Sequence, residues 1–536
     1  MKSDTVRMIV GFGLIVVILI GWQILFKPKP RPVAQQPVAT RPVAVPETTK
    51  PVPVETAKTQ PIPALVALEA TPAAETLVTL ENDLVKLEFS NIGGTLAAAH
   101  LKKFSADVVM KGAPLLGTVL LMPDGPKSLA ATPMTVTSDD TMVTFTYAAG
   151  AVGITKSYTL GKNYTLKHRI AITGAEAGLA IDGMAGLATT EKNHKEALTY
   201  YSVSIHGAKK LHGVAAARMK KPLVDVEPAD WVVSRSKYFM LAVIGQDSTF
   251  DSTYIARLDD GRIGFTAVAH RPLPVRDFTL YLGPIEHNGL RAVGCGLEAI
   301  AGRGWNRPIE LAMLWLLRLF HTLFGNWGVA ILVFSIVMKA ALWPLTRTQT
   351  KQMRQMQLLQ PKLNELKTKF KDSPEKLNAE TMQLYKLYKI NPLSGCLPMV
   401  VQLPIFWALY AVLRSAIEMR GAHFVLWLKD LSQPDMLFGF LPQGIPMVGG
   451  YAIGLLPVLM GVSFIGQNLL TSTDKKNWAM TIIFPVFITA IFLNLPSGLQ
   501  LYWFMYNILS VGESLIAMKG GTLWRKKKNS LTPATN

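Results

Sequence analysis

The sequence predicts a polytopic α-helical membrane protein with six transmembrane helices plus a large all-β domain outside the membrane. Three observations carry that prediction. The run GNWGVAILVFSIVMKAALWPL, Gly325 to Leu345, is one of several apolar stretches near the roughly 20 residues that a bilayer-crossing helix needs. Some 200 residues between Leu77 and Pro284 instead alternate apolar and polar side chains with period two. The loops between the apolar runs are alternately rich and poor in Lys and Arg, which is how helical membrane proteins set their direction. An apolar fraction of 49% with 11 Trp and 22 Met in 536 residues suits this class. The net charge of +19 is gathered in the segments assigned below to the cytoplasm, so it reports topology first. No zinc-finger, helix-turn-helix or RNA-binding signature is present, and DNA is not an expected partner.

Residues 1–26 read as an N-terminal transmembrane anchor. Met8 to Phe26 is apolar, longer than the usual signal-peptide core and without a small-x-small cleavage site before Lys27; a signal peptide is the alternative. Residues 27–76 are rich in Pro, Val, Ala and Thr, a composition that gives an extended tether. Residues 77–290 form the β-sandwich: Val85, Leu87 and Phe89 alternate with Lys86, Glu88 and Ser90, and Leu166, Ile170 and Ile172 alternate around Lys167 and Arg169. Gly93-Gly94, Asn163 and Asp259-Asp260-Gly261 mark turns. Its histidines His100, His168, His194, His206, His212 and His270 show neither ligand spacing nor a paired acid, and read as solvated or structural. Residues 291–324 are a connector ending in an amphipathic helix from Pro308. Glu310, Arg318 and His321 divide its apolar run, which favours the membrane surface over a true span.

Residues 325–518 hold five further spans, near Gly325 to Leu345, Gly395 to Leu413, Ile445 to Leu470, Trp478 to Leu493 and Leu499 to Met518. The segment 346–391 carries ten Lys or Arg against four acids, whereas Ser415 to Gly444 has only Arg420 and Lys429. Both termini are therefore expected in the cytoplasm and the β-domain outside. Within 346–391, Met353, Met356, Leu359, Leu363, Leu366 and Phe370 make one apolar helical stripe. After Ser373-Pro374 a second helix carries Leu377, Leu384, Leu387 and Tyr388, giving an antiparallel hairpin. Its basic outside reads either as a face near anionic lipid or as a docking arm for a ribosome or targeting factor. The basic tail, 519–536, has the same two readings. Cys295 and Cys396 fall on opposite sides of the membrane, so no disulfide joins them.

The chemistry-bearing residue is Lys339, a cation inside the Gly325–Leu345 run and about 12 Å along the helix from Arg347. A charge at that depth costs at least a few kcal/mol unless water or protein solvates it. Ser335, one turn earlier, extends a polar stripe toward water or protein. Glu513 in the last span lies at a similar distance from its own basic flank, so a structural Lys339–Glu513 pair is the alternative to a free groove cation. No Walker loop, metal spacing or nucleophile with its base occurs, so neither an enzyme nor a cofactor is expected. A secondary transporter, or a membrane-tethered carbohydrate-active β-domain, are the competing readings.

The residues NWG with Lys339 and WPLT, LQPKL in the hairpin, NPLSGCLPMVVQLPIFWALY from Asn391 to Tyr410 and LPSGLQLYW from Leu495 to Trp503 resemble the bacterial YidC family of membrane protein insertases. LYLGP, Leu280 to Pro284, resembles the end of that family's periplasmic β-supersandwich, similar in topology to sugar mutarotases without their activity. The resemblance implies a membrane insertase and chaperone of the bacterial inner membrane. It further implies a bilayer groove open to cytoplasm and lipid, lined by Lys339, Ser335, Tyr502 and Trp503. Lys339 stands where the family often has arginine, Trp503 where tyrosine is common, and Glu513 where a neutral amide is common. Leu397, Val400, Leu403 and Ile491 would form the greasy slide along which a nascent span leaves. The implied partners are nascent membrane proteins, the Sec translocon, membrane lipids, and a ribosome or targeting factor at the hairpin and tail.

Overall fold

The computed structural model describes residues 66–67, 74–191, 193–207, 211–245, 249–302, 306–371, 373–388, 397–442, 450–471 and 479–525. The expected anchor at 1–26, all but a few residues of the linker, and the tail from 526 onward lie outside them.

Among the described residues the alternating segment forms three sheets of nine, seven and four strands, the seventh strand of the second being Val66–Ala67 from the expected linker, paired in parallel with Gly125–Ser128. In the nine-stranded sheet, Phe239–Ile244 and Thr165–Thr173 flank Val275–Pro284, and Val152–Leu160 follows beyond Thr165–Thr173. The period-two pattern decides which side chains point inward: Leu166, Ile170 and Ile172 are buried while Lys167 and Arg169 are exposed, and Val85, Leu87 and Phe89 are buried in the four-stranded sheet. One apolar cluster draws on all three sheets, with Leu80, Leu120 and Phe145 among its members. Phe239–Ile244 departs from alternation because both its faces are covered. Phe239, Leu241 and Val243 enter the main core, and Met240, Ala242 and Ile244 pack with Leu290 at the end of the β-domain and with Leu297 and Ile300 of the connector. The Trp231 indole pins that connector by donating to the Cys295 carbonyl at 2.8 Å. Cys295 itself is a free, exposed thiol, and Cys396 lies outside the described residues.

A tight turn before the seven-stranded sheet depends on glycine. Gly174 has φ +73°, and a Cβ there would meet the Ala151 carbonyl oxygen at 1.7 Å. Gly174→Ala therefore combines left-handed strain with a backbone clash, and is expected to cost more than about 1 kcal/mol of β-domain stability, read as a lowered melting temperature.

The histidines are structural, but four of them do have acid partners that only strand pairing and turns supply. His100 pairs with Asp107 at 2.7 Å, His206 with Asp230 at 3.3 Å, His270 with Asp251 at 3.5 Å, and His212 with Asp225. His168 is fully buried and stacks on Tyr158 with ring centroids 4.1 Å apart. Among the described residues no group of three His, Cys, Asp or Glu could hold a metal ion.

The helices are α1 His194–Ala197, α2 His287–Val293, α3 Arg307–Phe324, α4 Trp327–Ala341, α5 Trp343–Lys369, α6 Pro374–Leu387, α7 Leu397–Ser415, α8 Leu455–Thr471, α9 Phe484–Phe492 and α10 Ser497–Arg525. Helix α3 buries Met313, Leu317 and Phe320 and leaves Trp315, Leu319 and Leu323 exposed. Gly325 ends it with φ +67°, and Asn326 starts α4, its side chain accepting from the amides of Gly328 and Val329. Among the described residues no helix is long and apolar enough to cross a membrane. Two expected spans are interrupted. Gly325 to Leu345 divides at Leu342 between α4 and α5, where Pro344 enters the first turn of the second helix. Trp478 to Leu493 becomes a π-turn at Ala479–Ile483 followed by nine residues of α9, with Pro485 at the junction removing an amide donor.

Helices α5 and α6 make the expected hairpin. Leu359 and Leu363 are buried and Met356, Leu366 and Phe370 half-buried, facing Leu377, Leu384 and Tyr388 of similar burial. Leu387 stays 49% exposed, outside the stripe. Pro374 occupies the first turn of α6, but the Ser373 side chain makes no capping bond.

Charged side chains fasten the β-domain to the C-terminal end of α7 and the loop after it. Arg420 donates to Glu191 at 2.8 Å and to the Phe104 carbonyl at 2.8 Å. Arg414 and Lys237 share the Glu196 carboxylate at 3.3 and 3.1 Å, and Arg318 of α3 engages Glu418. Arg420→Ala is expected to broaden the distance distribution between spin labels on the β-domain and on α8, measured by electron spin resonance, because these two contacts of the guanidinium and a third, to the Thr190 carbonyl at 3.4 Å, are lost together.

Candidate functional site

Helix α10 repeats polar and aromatic groups at helical spacing. Tyr502, Tyr506 and Ser510 follow every four residues and Glu513 comes three later, which puts all four on one face. That face meets α4. The Lys339 ammonium lies 2.9 Å from Glu513 Oε2, donates to Ser510 Oγ at 2.8 Å, and sits 4.6 Å from the centre of the Tyr506 ring. A carboxylate, a hydroxyl and an aromatic face thus surround a cation that is only 9% exposed. Ser510 in turn donates to the Tyr506 carbonyl at 2.9 Å, and Thr346 Oγ1 stands 3.5 Å from the other Glu513 oxygen. Lys339 is therefore ion-paired in this structure, the arrangement that the sequence left open beside a free groove cation.

Ser335 is fully buried one turn before Lys339, but its hydroxyl donates to the Ile331 carbonyl at 2.7 Å. Ser335 and Lys339 are buried on the same face of α4, but no hydrogen bond of the Ser335 hydroxyl reaches Lys339. With apolar neighbours around it, the nearest acceptor for a buried helical serine is the carbonyl four residues back. Tyr502 is fully buried too, its hydroxyl accepting from Gln402 Nε2 at 2.8 Å and so tying α7 to α10. Trp503 belongs to an aromatic cluster, 5.7 Å from Phe406 and 5.3 Å from Phe492 between ring centres. At the start of α10, Gly498 lets Ile331 and Leu413 approach closely, and these residues join Phe334 and Leu499 in one apolar core.

Leu403 of α7 and Ile491 of α9 are each 42% exposed, with Trp407 and Val486 exposed on the same two helices. Leu397 and Val400 belong to the first turn of α7, but their side chains lie outside the described ones. Sequence reasoning passed over Ser510 and Tyr506, which contact the cation, and did not pair Gln402 with Tyr502. The four-residue spacing Tyr502, Tyr506, Ser510 was the available signal, hidden because serine and tyrosine are ordinary residues in an apolar helix.

Residues 77–316 match the family described as YidC periplasmic domain, and residues 319–523 match the one described as 60Kd inner membrane protein. The chain is 32% identical to the membrane protein insertase YidC of Pelobacter propionicus, over 96% of this chain and 99% of that protein. It is also 32% identical to the protein of the same name from Chlorobium luteolum, over 94% of each. Among solved structures it is similar to an active YidC insertase crystal structure with the first transmembrane domain resolved, at 20% identity, 84% and 95% coverage and a TM-score of 0.40, a likeness too loose to add to the assignment. The relationship spans nearly the whole chain, β-domain and helical bundle alike, and on that ground the protein belongs to the YidC family of membrane protein insertases.

Proposed function

We propose that this chain inserts and folds inner-membrane proteins, without a cofactor or nucleotide hydrolysis, and that it does so through the Lys339 cluster. The carrying observation is a nearly buried lysine held by groups that can be exchanged: Glu513, Ser510 and the Tyr506 ring. An acidic or polar tail of a short client competes with Glu513 for the ammonium, which lowers the cost of bringing that tail out of water. Burial of the client's own apolar span in lipid then supplies the driving force. Tyr502 and Trp503 bound the groove, and Leu397, Val400, Leu403 and Ile491 form the lipid-facing slide by which the span departs. Exposed Ile336, Val458, Val462, Val486, Ile508 and Ile516 support placing the bundle in lipid, since water would penalise such a surface.

In this reading the chain crosses the inner membrane six times, with both termini cytoplasmic and the β-domain in the periplasm. The α5–α6 hairpin and basic tail receive clients from a ribosome or targeting factor, the β-domain contacts the Sec translocon or serves as a scaffold, and lipids solvate the bundle. The test is growth of insertase-depleted cells, and insertion of one small acidic-tailed client, with Lys339→Arg, Lys339→Ala and Lys339→Glu. Arg is expected to work while Ala and Glu fail. Full activity of Lys339→Ala would remove the cation from the mechanism.

A further inference from the structure

The loop that joins α7 to α8 is turned inside out with respect to charge. Asp435 is 3% exposed and accepts from the Trp427 indole at 3.0 Å and from the Leu456 amide at 2.8 Å. Asp430 accepts from the amide and hydroxyl of Ser432 at 2.9 and 2.7 Å. Apart from His423 and Lys429, what faces outward is apolar: Val425 at 45%, Leu426 at 77% and Phe438 at 60% exposure. Leu426 stands at the tip of the turn from Phe424 to Leu428, with φ +54°, a left-handed conformation that normally selects glycine or asparagine. A leucine both strained and bare in water gains nothing from its own chain.

The backbone on either side of the tip is paired within the chain. Phe424 N donates to Leu428 O and Leu428 N to Val425 O, while Phe438 N donates to Ile453 O and Leu441 N to Tyr451 O. Pairing of the flanking backbone lowers the cost of seating the tip at the boundary of headgroups and acyl chains, where water still reaches its free amides. The turn is also continuous with the surface of α3, because the Asn326 side chain donates to the carbonyls of His423 and Phe424 at 3.4 and 3.1 Å. Leu323 and Phe324, 66% and 52% exposed at the end of α3, extend the same apolar rim. Lys429, exposed two residues beyond Trp427, lines a cavity with Glu191 and His194 of the β-domain, which leaves Val425 and Leu426 as the outward tip.

We infer that the turn at Val425 to Trp427 is a lipid-inserting element, buried in the outer leaflet beside the end of α3, with phospholipid as its occupant. The inference rests on the membrane placement proposed above, and the experiment separates the two. In a full-length chain with both native cysteines replaced by serine, an environment-sensitive fluorophore is attached to Leu426→Cys, Val462→Cys or Asp140→Cys. Val462 is exposed on α8, and Asp140 is exposed in the β-domain. Each protein is reconstituted into vesicles of phosphatidylethanolamine and phosphatidylglycerol, with and without chain-nitroxide phosphatidylcholine, and also titrated with iodide. The expected result is several-fold stronger nitroxide quenching at positions 426 and 462 than at 140, with iodide showing the reverse order. Iodide quenching at 426 equal to that at 140, with 462 still in lipid, would overturn the inference alone. A probe at 426 shielded from both quenchers would also overturn it, since another protein surface would then be the occupant. Failure of nitroxide to reach 462 would overturn the membrane placement itself.

Discussion

Glu513→Gln is expected to destabilise the helical bundle by about 3–5 kcal/mol, the usual cost of leaving one member of a buried ion pair without its partner. The side chains of Lys339 and Glu513 are 11% and 20% exposed, so solvent replaces the lost carboxylate only in part. Ser510 and Tyr506 remain, but neither carries a charge. Lys339→Met combined with Glu513→Gln is expected to recover most of that loss, because no uncompensated charge remains; thermal unfolding of the purified protein in detergent reads both. The same substitution has a second expected consequence. If client carboxylates compete with Glu513, removing the competitor leaves the ammonium open, and photocrosslinking of an acidic-tailed client beside Lys339 should rise in Glu513→Gln although the fold is weaker. Loss of stability without a gain in crosslinking would make the pair purely structural.

The stability of the β-domain is expected to fall at acid pH and to rise through mildly alkaline pH, for two adjacent and fully buried groups. His168 stacks on Tyr158 inside the sheet core, and burial, with the nearby Lys156 charge, depresses its pKa from 6.5 to about 3. It is neutral in the fold and protonated in the unfolded chain below pH 6.5. Its contribution is thus present above pH 6.5 and lost as pH falls toward 3. Lys156 reaches across the core to donate to the Gly93 carbonyl at 2.8 Å, next to Tyr158, which donates to the Gly94 carbonyl at 2.9 Å. The two side chains staple the nine-stranded sheet to the turn after Val85–Ser90. Burial draws the Lys156 pKa from 10.5 down to about 7. Between those values the unfolded chain holds the extra proton, so stability increases with pH over that range, by an amount of order a few kcal/mol at about 1.4 kcal/mol per pH unit. Lys156→Met should flatten the alkaline limb and shorten, without abolishing, the acid limb of His168, because burial remains while the neighbouring charge is gone. Melting of the full-length protein followed across pH by near-ultraviolet circular dichroism checks both slopes.

Much of this architecture was legible in the residues. Period two in Val85, Leu87 and Phe89 and in Leu166, Ile170 and Ile172 named both the strands and their buried faces, because strand side chains alternate whatever their partners are. The hairpin stripe at Leu359 and Leu363 was equally local, as was the special status of Lys339, which follows from the cost of a charge in an apolar run. Helix continuity was less legible. Pro344 and Pro485 were visible, but whether a proline kinks, ends or restarts a helix depends on neighbours that re-satisfy its missing amide.

What surrounds Lys339 was decided only in three dimensions. Glu513 and Ser510 lie more than 160 residues away, and the length of a lysine side chain admits water, lipid or either partner until α4 and α10 are packed. The same holds for Ser335, whose hydroxyl turned into its own helix, and for the four His–Asp pairs, which strand register and turn geometry brought together. Periodicity and apolar length are properties of consecutive residues, so the order of residues alone determined the sheets, the hairpin and the placing of a cation within an apolar helix. Compensation of that charge is a property of residues remote in sequence, and only the tertiary packing of α10 against α4 could settle it.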